Sequence, residues 1–334
     1  MESYALVGDI GGTNARFALV EKGSVVLSYI EVLSCADYAN FDVAFAAYFA
    51  KIGKKPASIA CLSFACPIAA DISMTNNHWR FNVEQMKSQL NLQQMLLLND
   101  FTAMAYGTLF VDEEDKVLVQ QGDATHSNES RLVIGPGTGL GVSGLVPIKA
   151  VDKSLQITWQ ALTTEGGHVS FAPENELQQK ILVVLQQTHG RVSVERLLSG
   201  DGLYAIYTAI CQIQQLPIVY ESPAQVSQAA LACFADMAKQ GSQTTPAYIA
   251  LSTFCEVLGA VTGDMVLAQG SRGGVYLCGG ILPRIKAFLF ASNFRQAMCN
   301  KGRLSSYLEQ VPVWLCDAKY PGLLGAAAAL KIQL

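Results

Sequence analysis

Long runs of like charge are missing from this 334-residue chain. No block of about five or six like charges marks a solvated tail or a membrane-binding face. The net charge of −4 leaves little cationic surface for non-specific nucleic-acid binding, so no nucleic-acid partner is expected. Paired cysteines are missing too. None of the nine stands in a Cys-x-x-Cys motif, and no histidine lies at ligand spacing from them. Most, such as Cys61, Cys211, Cys233 and Cys278, sit in apolar segments. This argues against zinc and reads as reduced, buried thiols in a cytoplasmic protein. A basic n-region and a small-residue cleavage site are absent, so secretion is not expected. The most suspicious uncharged stretch, Leu203–Tyr220, contains Gln212, Gln214, Gln215 and Pro217. It reads as a helix and a loop, and no membrane association is expected. Neither a Gly-Lys-Ser/Thr loop nor a Gly-x-Gly-x-x-Gly fingerprint is present.

Apolar residues, by contrast, are abundant: 51% of the chain is hydrophobic and 15% charged. A large core follows, and the length suggests about two domains. Short apolar runs alternate with helical stretches, which implies α/β architecture with partly parallel sheets. Asp37 is the expected cap of a helix through Ile52, and Asn82 the cap of one over Val83–Leu90, with Gln85 at the capping-box position. Gln94–Leu98 reads as a strand that ends at Asn99-Asp100. A shift of 127 positions lays Ala5-Leu6-Val7-Gly8 on Leu132-Val133-Ile134-Gly135 and Gly12 on Gly139. Two strand–glycine turn–strand units suggest a duplicated fold.

Three glycine clusters carry the chemistry. In Gly8-Asp9-Ile10-Gly11-Gly12-Thr13, bare backbone approaches an anion while amides and the Thr13 hydroxyl donate to phosphate oxygens. Asp9 beside that turn is suited to Mg²⁺, directly or through water. An ordinary hairpin turn is the plain alternative. Gly137-Thr138-Gly139 repeats the pattern, and Gly279-Gly280 follows a third apolar run where a base or ribose could rest on bare backbone. Asp100 stands where open α/β sheets put their ligands. It reads equally as a proton acceptor or as a helix cap. Glu165 and His168 bracket two glycines and suit a ring of sugar hydroxyls, although a lone histidine is more often structural.

Here a resemblance enters. Asp9-Ile10-Gly11-Gly12-Thr13-Asn14-Ala15-Arg16 matches the phosphate motif of the hexokinase/actin-like ATPase superfamily. Leu98-Asn99-Asp100-Phe101, Glu165-Gly166-Gly167-His168 and Leu198-Ser199-Gly200 resemble the bacterial glucokinase family, and the likeness runs from Tyr4 to Gly325. It implies a two-domain actin/hexokinase-like (ribonuclease H-like) α/β fold with an interdomain cleft. It also implies ATP and Mg²⁺, glucose as acceptor and a homodimer. Asp100 becomes the general base; Asn99, Asp100, Glu165, His168 and Glu195 become sugar residues, with Asn76 a weaker candidate. Gly8, Asp9, Ile10, Gly11, Gly12, Thr13, Gly137, Thr138, Gly139, Gly279 and Gly280 become nucleotide residues, and Asp9 the metal residue. The expected division is 1–109 and 110–317, with 318–334 returning to the first domain.

Two other kinase classes and two non-kinase readings fit less well. ROK sugar kinases carry a cysteine-rich zinc motif where this chain has Val169-Ser170-Phe171-Ala172-Pro173. Kinases with a Gly-Leu-Gly-Ser-Ser loop would leave the N-terminal turn unexplained. A sugar-responsive regulator would need a DNA-binding extension, and a filament ATPase would not need Glu165 and His168.

Overall fold

The computed structural model describes residues 4–74, 77–148, 158–240 and 244–333. Asn76 lies outside them. The two apolar runs around the first glycine turn form an antiparallel hairpin of β1 (Tyr4–Ile10) and β2 (Asn14–Glu21). β3 (Ser28–Ser34) pairs with β2. After α1 (Phe41–Ile52), β4 (Ile59–Phe64) pairs with β1 in parallel. A small hairpin of β5 (Asp71–Ser73) and β6 (Arg80–Asn82) leads to α2 (Val83–Gln89). β7 (Gln94–Asn99) then pairs with β4 in parallel and runs into α3 (Asp100–Gly107). β1 and β4 are buried almost throughout, which is why they read as continuous apolar runs.

The Asn82 side chain accepts from Gln85 N at 3.2 Å, as the spacing predicts. The cap of α1 is a correction: Asn40, not Asp37, accepts from the helix, at Val43 N. The reason is tertiary. Cys35 N donates to Thr13 O at 2.8 Å, so the chain is still tied to the glycine turn at that point. Asp37 falls in the short 3-10 turn that follows, Cys35–Asp37.

The second sheet contains β8 (Lys116–Gln120), β9 (Arg131–Pro136), β10 (Leu140–Ile148), β11 (Thr158–Thr163), β12 (Gly274–Leu277) and β13 (Val313–Cys316). The first sheet has the order β3-β2-β1-β4-β7 and the second β11-β10-β9-β12-β13-β8. Without β8 the two orders correspond strand for strand. In both, the strand before the glycine turn has a parallel neighbour, and that neighbour has another. The 127-residue repeat is therefore a repeat of topology.

The remaining helices are α4 (Glu176–His189), α5 (Gly200–Gln214), α6 (Pro223–Gln240), α7 (Pro246–Gln269), α8 (Lys286–Ala291), α9 (Phe294–Cys299), α10 (Ser305–Glu309) and α11 (Pro321–Gln333). Among the described residues one helix, α7, is long and apolar enough to cross a bilayer. Its most apolar window is 72% buried inside the protein, as expected of a core helix.

The chain divides into two compact units. Unit 1 comprises Met1–Asp115, Gly144–Thr163 and Ala318–Leu334; unit 2 comprises Lys116–Ser143 and Thr164–Asp317. The core of unit 1 gathers Phe17, Phe41, Tyr48, Phe64 and Trp79, whose rings touch in a chain. The core of unit 2 is mostly aliphatic, with Tyr207, Phe254 and Phe294 buried in it, and is centred on α5, α7 and the strands β9 and β12. Within unit 1, α11 crosses α3 at backbone contact. A Cβ at Gly325 would stand 1.9 Å from Ala103 O, so glycine is required there.

Candidate active site

In unit 1 the polar residues collect at the carboxyl ends of β1, β4 and β7. The register places Asp9 beside Ser63, and Ser63 beside Leu98, with Phe64 beside Asn99. Asp100 is the first residue of α3. This is the position in which open α/β sheets hold ligands. Gly8 and Ile10 lie inside β1, and only Gly11, Gly12 and Thr13 form the turn itself. The Ile10 side chain is fully buried and its carbonyl accepts from Ala65 N. The turn is held by Gly11 N donating to Asn14 O at 3.0 Å and Asn77 Nδ2 donating to Gly11 O at 3.4 Å. Thr13 is exposed.

Asp9 is anchored on both oxygens. Arg16 Nη1 donates to Oδ2 at 3.1 Å and Ser63 Oγ to Oδ1 at 3.3 Å. Burial pushes its carboxyl up, while Arg16 and Ser63 pull it down. Arg16 stands directly opposite Asp9 in the hairpin, which two-residue alternation about the turn could have indicated. Ser63 was not visible in the sequence, because it reaches Asp9 only through the pairing of β1 with β4. Each Asp9 oxygen keeps a lone pair for water. Among the described residues no group of three or more His, Cys, Asp or Glu could hold a metal. A cation at Asp9 would therefore draw most of its ligands from phosphates and water, the way Mg²⁺ binds nucleotides. The donor set fits it.

Asn99 caps α3: its Oδ1 accepts from Phe101 N at 3.0 Å, and its amide donates to Cys66 O at 3.4 Å. Asp100 is half-buried, and its Oδ1 also accepts from Phe101 N, at 2.9 Å. Burial, and then the nearby Asp9 charge, push the Asp100 carboxyl up to about 6. Both readings of Asp100 therefore have support, a contact at the helix start and a carboxylate tuned toward neutrality.

In unit 2 three segments converge on the second turn. Gly137 N donates to Gly139 O at 2.7 Å, and Gly200 N, at the start of α5, donates to Gly137 O at 2.9 Å. Leu140 N donates to Glu195 Oε2 at 2.9 Å. That carboxylate lies so close that a Cβ on Gly139 would stand 2.4 Å from it. Glu165 and His168 flank a single 3-10 turn, Gly166–His168, with His168 N donating to Glu165 O. Both are exposed. Their segment is zipped to that of Glu195: Val194 N donates to Val169 O and Phe171 N to Val192 O. Gly167 in turn lies on Leu140, where a Cβ would meet the carbonyl oxygen at 2.2 Å. Glu165, His168, Glu195 and the turn Gly137–Gly139 thus form one cluster.

The third glycine pair follows β12. Gly279 has φ +88°, and a Cβ there would meet Pro136 O at 2.5 Å, so it seats the end of β12 against the end of β9. Gly280 is exposed, with open space where a side chain would be.

A family model described as Glucokinase matches residues 6–333. A glucokinase of Hahella chejuensis is 47% identical over 331 residues, covering 99% of this chain and 98% of that protein. One from Marinobacter nauticus is 44% identical over 330 residues, with 98% of each covered. The crystal structure of glucokinase from an Antarctic psychrotroph superposes with a TM-score of 0.83 at 34% identity, over 99% of both chains. A ROK hexokinase from Thermus thermophilus, 17% identical with a TM-score of 0.61 over 97% of both chains, shares the fold.

Proposed function

The chain belongs to the glucokinase family, and from that premise we propose how its residues transfer the γ-phosphate of ATP to the 6-hydroxyl of glucose, giving glucose 6-phosphate and ADP. It is an ATP-dependent hexose kinase. Phosphoryl transfer asks mainly for positioning and charge stabilisation, with one base to receive the attacking hydroxyl's proton. Asp100 is that base. Asn99, tied to Phe101 N and Cys66 O, orients the same hydroxyl. Glu165, His168 and Glu195 hold the other hydroxyls of the ring. The amides of Gly11, Gly12 and Thr13 and of Gly137, Thr138 and Gly139 receive phosphate oxygens, and Gly279 and Gly280 offer bare backbone to the nucleoside. Asp9 would hold Mg²⁺ through water, and the ion would neutralise phosphate charge.

The observation that carries this reading is the state of Asp100, raised to about 6 by burial and by Asp9. A base near the working pH is ionised and still holds a proton well. The test is Asp100→Asn. As a helix cap Asn is nearly equivalent; as a base it is useless. Loss of general-base catalysis is worth about 10²–10⁴ in rate. Glucose affinity by calorimetry should stay within about tenfold of wild type while kcat collapses. A variant that keeps more than about a tenth of wild-type kcat removes Asp100 from the chemistry.

We place the enzyme in the cytoplasm as a homodimer. The cytoplasmic assignment is supported by nine free cysteines in a fold without a disulfide, the dimer by family resemblance. Light scattering of the purified protein tests the dimer: a monomer mass would end that assignment.

A further inference from the structure

We propose that Gly322 is a positioning residue for phosphotransfer: its missing side chain lets the first turn of α11 lie against the Asp9 carboxylate and fixes the way that carboxylate faces. The inference rests on the reading of Asp9 as the phosphate and metal residue.

Three observations carry it. The three nearest heavy atoms to a Cβ built on Gly322 all belong to Asp9: Cγ at 2.5 Å and the two oxygens at 2.7 Å. Asp9 has no free side toward which to retreat, because Arg16 holds one oxygen and Ser63 the other. α11 is itself closely packed. One turn on, Gly325 rests on the backbone of α3, with a would-be Cβ 1.9 Å from Ala103 O and 2.4 Å from the Ala103 carbonyl carbon. The two glycines therefore do different work. Gly325 joins helix to helix, whereas Gly322 touches a functional carboxylate and nothing nearer.

A methyl group at 322 must push the carboxylate aside. Asp9 is also the neighbour whose charge raises Asp100. Displacing it disturbs the phosphate end of the site and the base together. Most of glucose recognition, assigned to Glu165, His168 and Glu195, is left alone.

The experiment compares Gly322→Ala, Asp9→Ala and the double variant, each measured for kcat, the pH dependence of kcat/KM for glucose, glucose affinity and Tm. Gly322→Ala should lose about tenfold to a hundredfold in kcat, the cost of a small misplacement. Its acid limb should shift, because the charge beside Asp100 has been displaced, and glucose affinity should stay within about threefold of wild type. In the Asp9→Ala background the clash is gone. There Gly322→Ala should change neither kcat nor Tm, a non-additivity that a purely structural glycine would not show. If Asp9→Ala itself keeps wild-type kcat, the reading of Asp9 fails. If Asp9→Ala is impaired while Gly322→Ala has wild-type kcat and acid limb, this inference alone is overturned. Should Gly322→Ala not fold, the double variant decides: folding like Asp9→Ala supports the proposal, and failing to fold overturns it.

Discussion

At the Asp100 carboxyl burial and the neighbouring charge of Asp9 raise the pKa to about 6, against the bond from Phe101 N at the helix start, which lowers it. The sign for activity follows. As pH falls through about 6 the base is protonated, so kcat/KM for glucose should fall about tenfold per unit below that point. An acid limb near 4, the ordinary carboxylate range, would show that Asp100 is not the titrating base. The sign for stability is opposite. A carboxyl whose folded pKa is raised contributes stability below its unfolded value, and that contribution is lost as pH rises through about 6. Asp100→Asn should therefore melt above wild type at about pH 8, with the gap closing toward about pH 4. Equal melting temperatures at both values would contradict the burial argument. Glu165 makes a different prediction. It is exposed and assigned to ground-state recognition, so Glu165→Gln should raise the glucose KM about tenfold to a hundredfold with kcat little changed. Collapse of kcat at constant KM would move Glu165 into the chemical step.

The elements of unit 2 show how one carboxylate can serve a turn as well as a ligand. The Glu195 carboxylate accepts from Leu140 N at the exit of the second glycine turn, and its own carbonyl accepts from Ser199 Oγ at 2.9 Å. The 3-10 turn Val194–Arg196 thus supports β10. Glu195→Gln keeps an acceptor for Leu140 N; Glu195→Ala leaves that amide without one. An orphaned buried donor costs roughly 1–3 kcal/mol. The ATP KM should therefore rise about fivefold or more in the alanine variant and little in the glutamine variant. Equal ATP constants in both would show that the contact does not support the turn. The caps of α1 and α2 make the same point about elements. Asn82 was legible because its cap bond is local. Asn40 displaced Asp37 because a distant bond, Cys35 N to Thr13 O, set where the helix could begin.

Over the whole molecule the cysteines give the simplest check. Eight of the nine are buried, and Cys299 is half-buried with its thiol 3.5 Å from Gln120 Oε1. Burial pushes the thiols of Cys66 and Cys255 up to about 11 and about 12, and that of Cys299 up as well. Thiolates are the reactive form. A colorimetric thiol titration at about pH 8 should find at most one fast group in the native protein and nine after denaturation. Two or more fast thiols without denaturant would mean that the cores open far more readily than their packing implies.

By itself the sequence determined the pieces whose causes are local. The apolar runs and glycine turns predicted both hairpins, and the 127-residue shift predicted that one sheet's topology repeats the other's. Asn99-Asp100 at a strand end marked the candidate base, because strand and helix signals meet there within a few residues. Tertiary structure decided what depends on residues far apart in the chain. Ser63 reaches Asp9 only because β4 pairs with β1, and the pKa of Asp100 is raised first by its burial in the packed unit and then by the charge of Asp9. Gly322 is 313 positions from the carboxylate it touches, and in the sequence it is merely the glycine after a proline. Periodicity and spacing carry information over a few turns of chain; burial and charge act through space, and only the packed units define that space.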